Sequence, residues 1–265
     1  MNRSVFVVLL GFGSLGVAIA FAQARTRAVF AEDGFRTAGR RAMAMTLLAL
    51  VLLLTVAIPF STGLAGVEPD VKNLSLVSLF AVHVILILFL LCYYMLSGRR
   101  SPAEFLALAS PRPAVDLSVG ILIGALGWLL TIVAAMAVVG VWLALRARSG
   151  APAAPSDVAP TILWILSRPV WVRILIVVTA MVVEELFFRS FLQTRVGPVA
   201  AMLMFTAAHG VYGQPLFLVG ILVISAVLSV TFALYKNVLP CIIAHGTFDA
   251  IQMFVVIPLV VKPPG

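Results

Sequence analysis

At 265 residues, 63% of them hydrophobic and only 11% charged, the chain carries more apolar surface than a soluble fold can bury. Its mean hydropathy of +1.17 is that of a protein crossing a bilayer many times. The formal net charge of +8 comes mostly from arginines between apolar runs, so it reports on topology, and no basic patch with interleaved aromatics points to nucleic acid.

Apolar runs near the length of a membrane crossing predict an all-α, polytopic transmembrane helix bundle of about eight spans. In chain order they are Ser4–Ala22, Ala42–Phe60, Leu74–Leu96, Leu117–Leu145, Val170–Leu192, Pro198–Tyr212, Leu216–Tyr235 and Leu239–Val261. The first has the small residues of a cleavable signal peptide at Ala20, Ala22 and Ala24. Its apolar run is long for one, however, and the arginines behind it outnumber Arg3, so a retained first helix fits better. The basic stretch Gln23–Arg41 reads either as a helix lying on the anionic leaflet or as a solvated loop. Ser149–Pro160, rich in Ala, Pro and Ser, reads as a loop, and Thr161–Ser167 as a short interfacial helix stopped before Pro169. Arginines in the loops after the first, third and fourth spans give conflicting votes and set no single orientation.

The sixth run is short. Pro198 to Gly210 rises about 20 Å as a helix, against a hydrocarbon core of about 30 Å. Such a helix is tolerated at membrane depth where protein buries it or where it lines a wet cavity, and His209 would stand at its end.

Six ionisable residues fall inside these runs in three clusters: Glu184-Glu185 with Arg189, His209 after Phe205, and His245 with Asp249. Ionisable side chains inside a membrane are expensive and mark functional sites. Glu185 and Arg189, four apart, share a helix face and can pair, while Glu184 is turned about 100° away and can point elsewhere. Phe205 with His209 and His245 with Asp249 repeat the same spacing, and Gly210 and Gly246 would let neighbouring segments come close. The third histidine, His83, has no polar neighbours in sequence and reads as a packing residue.

The run Glu184-Glu185-Leu186-Phe187-Phe188-Arg189 has the form E-E-x-x-x-R, Phe205–His209 the form F-x-x-x-H, and His245–Asp249 the form H-x-x-x-N/D. In this order and spacing the chain resembles the CPBP family of CaaX-protease and bacteriocin-processing intramembrane endopeptidases, over about Val170–Pro258. The resemblance implies a glutamate-type protease that requires no metal or other cofactor. Glu184 and His209 would activate a water by general-base chemistry. Glu185, Arg189 and Phe205 would support the site, and His245 with the residue four later would stabilise the oxyanion. This chain has Asp249 where the family often has Asn. An ionised aspartate cannot donate a hydrogen bond, so Asp249 is either protonated or orients His245.

On this resemblance residues 1–160 form a transmembrane scaffold of about four spans and residues 161–265 the catalytic core. The expected partners are membrane lipid and membrane-anchored or lipid-modified protein substrates, and the expected home is the inner membrane if the source is bacterial. Three other readings compete. One is a zinc protease with Glu184, His209 and His245 as ligands, against which stands the lack of an H-E-x-x-H motif. Another is a non-catalytic binding or immunity protein on the same fold. The third, an ion-coupled transporter, would predict inverted halves with paired broken helices, whereas the polar residues lie only in the last third. No serine stands in a G-x-S-x-G setting, and Cys92 and Cys241, both in apolar runs, form neither a disulfide framework nor a metal knuckle.

Overall fold

The computed structural model describes residues 30, 33–66, 75–98, 101–149, 160–212 and 214–260. The expected first span, the start of the basic stretch, and most of the Ser149–Pro160 loop lie outside these residues. Among the described residues every regular element is helical, as expected for an all-α bundle.

Five helices are long and apolar enough to cross a membrane: Ala38–Leu64, Leu76–Leu96, Pro113–Leu145, Leu216–Tyr235 and Leu239–Leu259. The protein is therefore an integral, multi-pass membrane protein, although the expected eight spans are not reached among the described residues. We name α1 Ala38–Leu64, α2 Leu76–Leu96 and α3 Pro113–Ser149. The short α4, Pro160–Leu166, is the short helix expected before Pro169. Next, α5 covers 170–196, α6 is Pro198–Ala208, α7 is Pro215–Tyr235 and α8 is Leu239–Leu259. The expected span Val170–Leu192 lies in α5. It is not among the five, for it carries Arg173, Glu184, Glu185 and Arg189 and is held in place by protein contacts.

Local chemistry sets the helix ends. Thr37 caps α1 by accepting from the Arg40 backbone N–H, so the end of the basic stretch folds into the start of a span. Ser75 and Ser78 form a reciprocal capping box on α2. In α5 the α-helical segment Val170–Glu185 passes into a π-helical segment, Leu186–Gln193, just behind the paired glutamates. Such widened turns recur at functional sites.

Two buried clusters hold the bundle. The first joins α1, α2 and α5 through aromatic contacts: Phe89 meets Phe191 at 5.0 Å and Tyr93 meets Phe191 at 4.6 Å, both edge-on. Beside it, Asp33 accepts two bonds from Arg195, at 2.7 and 3.1 Å, and a third from the Tyr93 hydroxyl at 2.7 Å. All three side chains are buried, so this ion pair ties the segment before α1 to the end of α5.

The second cluster joins α7 and α8, with partly buried residues of α3 packed against it. Helix α3 approaches α8 through Gly120 and Gly124, a small-xxx-small pair. A Cβ at Gly124 would collide with the Ala244 carbonyl, and one at Gly120 would stand 2.9 Å from the Pro240 carbonyl. The opposite side of α3 presents Leu122, Leu129, Val133 and Met136 outward, as a lipid-facing surface does.

Candidate active site

The three sequence clusters meet where α5, α6 and α8 pack together, and each is carried by a different helix. Glu184 and Glu185 end the α-helical part of α5, His209 caps the short α6, and His245 and Asp249 lie one turn apart on α8. As expected, His209 stands at the end of the helix too short to cross a bilayer.

The adjacent glutamates diverge. Glu185 is fully buried: its Oε2 accepts from Arg189 Nε at 3.0 Å, and its Oε1 lies 2.9 Å from His245 Nδ1. Arg189 is equally buried and every nitrogen of its guanidinium is placed. Besides the Glu185 bond, Nη1 donates to Ser229 Oγ at 2.7 Å and Nη2 to Ser225 Oγ at 3.2 Å, both on α7. Both ring nitrogens of His245 face carboxylates, since Nε2 lies 3.3 Å from Asp249 Oδ2. An imidazolium donates to both. Ser229, Arg189, Glu185, His245 and Asp249 thus form one continuous polar chain from α7 through α5 to α8.

Glu184 faces the other way, and its side chain is 16% exposed. Its Oε2 lies 4.0 Å from His209 Nε2 and has no hydrogen-bond partner among the described residues. His209 Nδ1 lies 2.9 Å from the Phe205 carbonyl oxygen. A carbonyl can only accept, so Nδ1 carries a proton, and in the neutral ring Nε2 presents its lone pair towards the carboxylate.

Phe205 is the common wall. The Arg189 guanidinium lies over its ring at 5.0 Å, the His209 ring is at 4.7 Å, and the His245 ring meets it edge-on at 5.9 Å. The glycines after the histidines are in close contact too. A Cβ at Gly210 would stand 2.8 Å from Phe60 Cα on α1, whereas one at Gly246 would strike the Met181 thioether, a side chain rather than a backbone.

The structure corrects the expectation for His83. From α2, its Nε2 reaches 3.3 Å from Glu184 Oε1, across 101 positions of sequence. Ser225 and Ser229 were likewise missed: serines in an apolar helix give no local signal, and only the buried guanidinium between them shows their purpose. The alternative His₂Glu set does not converge, because His245 is engaged by Glu185 and Asp249 rather than by Glu184. Among the described residues no group of three His, Cys, Asp or Glu is placed to hold a metal ion.

The family profile described as "Type II CAAX prenyl endopeptidase Rce1-like" matches residues 166–251, which hold all three motifs. No curated protein and no solved structure matches the chain.

Proposed function

We propose a mechanism for a chain whose segment 166–251 is of the Rce1-like CAAX endopeptidase family, consistent with the CPBP resemblance, and which is on that ground a membrane-embedded peptide hydrolase. Glu184 and His209 together activate the attacking water. The observation that carries this reading is the facing pair of acceptors, Glu184 Oε2 and His209 Nε2, 4.0 Å apart. A water between them can donate one hydrogen to each, which leaves an oxygen lone pair free to attack a carbonyl carbon. As the new C–O bond forms, one water proton passes to this pair of bases. When the C–N bond breaks, that proton is delivered to the leaving amine.

The charges of the site support this division of labour. Arg189 and an imidazolium His245 balance Glu185 and Asp249 within the buried chain, which leaves Glu184 as the ionised base beside neutral His209. The oxyanion of the tetrahedral intermediate is stabilised by the positive charge of His245, whose Nε2–H, held in place by Asp249, is shared with the oxyanion as it forms. Of the two roles open to Asp249, orienting His245 is the one this contact favours. Residues 161–265 act as the catalytic core on a scaffold of residues 1–160. Substrates are membrane-anchored proteins, with prenylated C-terminal tails the first to try, and in a bacterium the inner membrane is the site of action.

The test is cleavage of a panel of tagged membrane proteins and a farnesylated CaaX peptide by purified protein, with and without a zinc chelator. Cleavage that survives the chelator and disappears in Glu184→Ala supports the mechanism. Cleavage lost to the chelator and restored by zinc would overturn it.

A further inference from the structure

We infer that His83 is a positioning residue of the hydrolytic site, holding the Glu184 carboxylate by one oxygen so that the other is turned to His209. The inference rests on Glu184 being the base. His83 lies on α2, outside the segment that matches the endopeptidase profile, so it is an addition made to the site by the rest of this chain.

Three observations carry it. The His83 Nε2 contact at 3.3 Å falls on Glu184 Oε1, the oxygen not facing His209. A Glu side chain ends in a torsion with broad minima, so an unheld carboxylate swings through positions in which neither oxygen addresses His209. A donor on Oε1 removes that freedom and leaves the lone pairs of Oε2 for water. Secondly, the contact is enclosed, with His83 and Glu184 side chains only 13% and 16% exposed. Solvent therefore competes little for the bond. Thirdly, the docking of α2 on α5 does not need it. The Phe89–Phe187, Phe89–Phe191 and Tyr93–Phe191 contacts already join the two helices six to ten residues further along α2. A polar tie added there for packing alone would cost desolvation with no return.

The experiment uses the purified full chain, a farnesylated CaaX peptide and four variants, each checked for an unchanged melting temperature. Glu184→Gln reports on the base itself. His83→Phe keeps volume and loses the donor. His83→Gln keeps an N–H near the Nε2 position, and His83→Asn has one only near Nδ1. The expected result for His83→Phe is a fall in kcat of roughly 10- to 100-fold with KM unchanged, the signature of lost orientation rather than lost binding. His83→Gln should recover most of that loss and His83→Asn little.

If Glu184→Gln is dead while His83→Phe keeps wild-type kcat, the positioning role is overturned and the mechanism stands. If Glu184→Gln cleaves normally, the mechanism falls and His83 falls with it. A spectroscopic arm needs no turnover: with three histidines in the chain, ring-¹⁵N spectra are assignable by substitution. His83 should show protonated Nε2, and Glu184→Gln should alter its ring shifts. A His83 spectrum indifferent to Glu184→Gln overturns the inference, whether or not the peptide is cut.

Discussion

Glu184 and Glu185 are neighbours in the chain and share no partner: one carboxylate lies between His83 and His209, the other between Arg189 and His245. The half-open carboxylate has an unpartnered oxygen, and the sealed one has both oxygens engaged. The pair should therefore respond differently to the same substitution. Glu184→Gln should lower kcat by about 10²- to 10⁴-fold with the fold intact, as expected for a missing general base. Glu185→Gln leaves Arg189 without its buried counter-charge and should cost about 3–5 kcal/mol of stability. Turnover and denaturant unfolding in detergent, measured side by side, distinguish them. Equal loss of stability in both variants would refute the assignment.

Asp249 should tolerate conversion to asparagine. The amide keeps an acceptor for His245 Nε2–H and adds a donor for the oxyanion, so kcat for Asp249→Asn should stay within about tenfold of wild type. Asp249→Ala releases His245 and should cost about 10²- to 10³-fold. If alanine serves as well as asparagine, the contact between Asp249 and His245 has no part in turnover.

The buried pair of Asp33 and Arg195 predicts a stability effect separable from chemistry. Arg195→Met removes both guanidinium bonds to the buried Asp33 carboxylate while the Tyr93 hydroxyl bond remains, and should destabilise the protein by about 3–5 kcal/mol. The double change Asp33→Asn with Arg195→Met should recover part of the loss. A double-mutant cycle on unfolding midpoints measures the coupling, and strict additivity would show that the two charges do not interact.

The close crossing of α3 on α8 places a bystander residue next to the site. Gly124 abuts the Ala244 carbonyl, one position before His245. Gly124→Ile should overpack the crossing by about 1–3 kcal/mol or more and shift His245, lowering kcat as well as stability. Gly140→Ile on the same helix meets nothing within 4 Å and should change neither. Equal effects at the two positions would deny the crossing its influence on the site.

Much of this arrangement was legible in the sequence because it is written at helical spacing. The divergence of Glu184 from Glu185 follows from a 100° turn per residue, and the Glu185–Arg189 pair from a separation of four. His209 at a helix end followed from a run too short to cross. What could not be read was contact across distance. His83 and Glu184 are joined only by the packing of α2 on α5, and Asp33 meets Arg195 across most of the chain. Nor does apolar length account for α5, which carries Arg173, Glu184, Glu185 and Arg189 and is held by protein contacts. The Gly120–Gly124 pair likewise shows its use only where α3 crosses α8.

The widened turn at Leu186–Gln193 gives α5 a fixed length as well as a fixed composition. Before it, Glu184 and Glu185 are aimed at histidines on three other helices. At its last residue, Gln193 donates to the Ser229 carbonyl, and just after it Arg195 is locked to Asp33. Removing one residue between these anchors would rotate everything downstream by about 100° relative to everything upstream, and the two ends could no longer be satisfied together. Side chains along this stretch can be exchanged one for another, but their number is counted. Among homologous chains, insertions and deletions should be rarer here than in any loop of the protein.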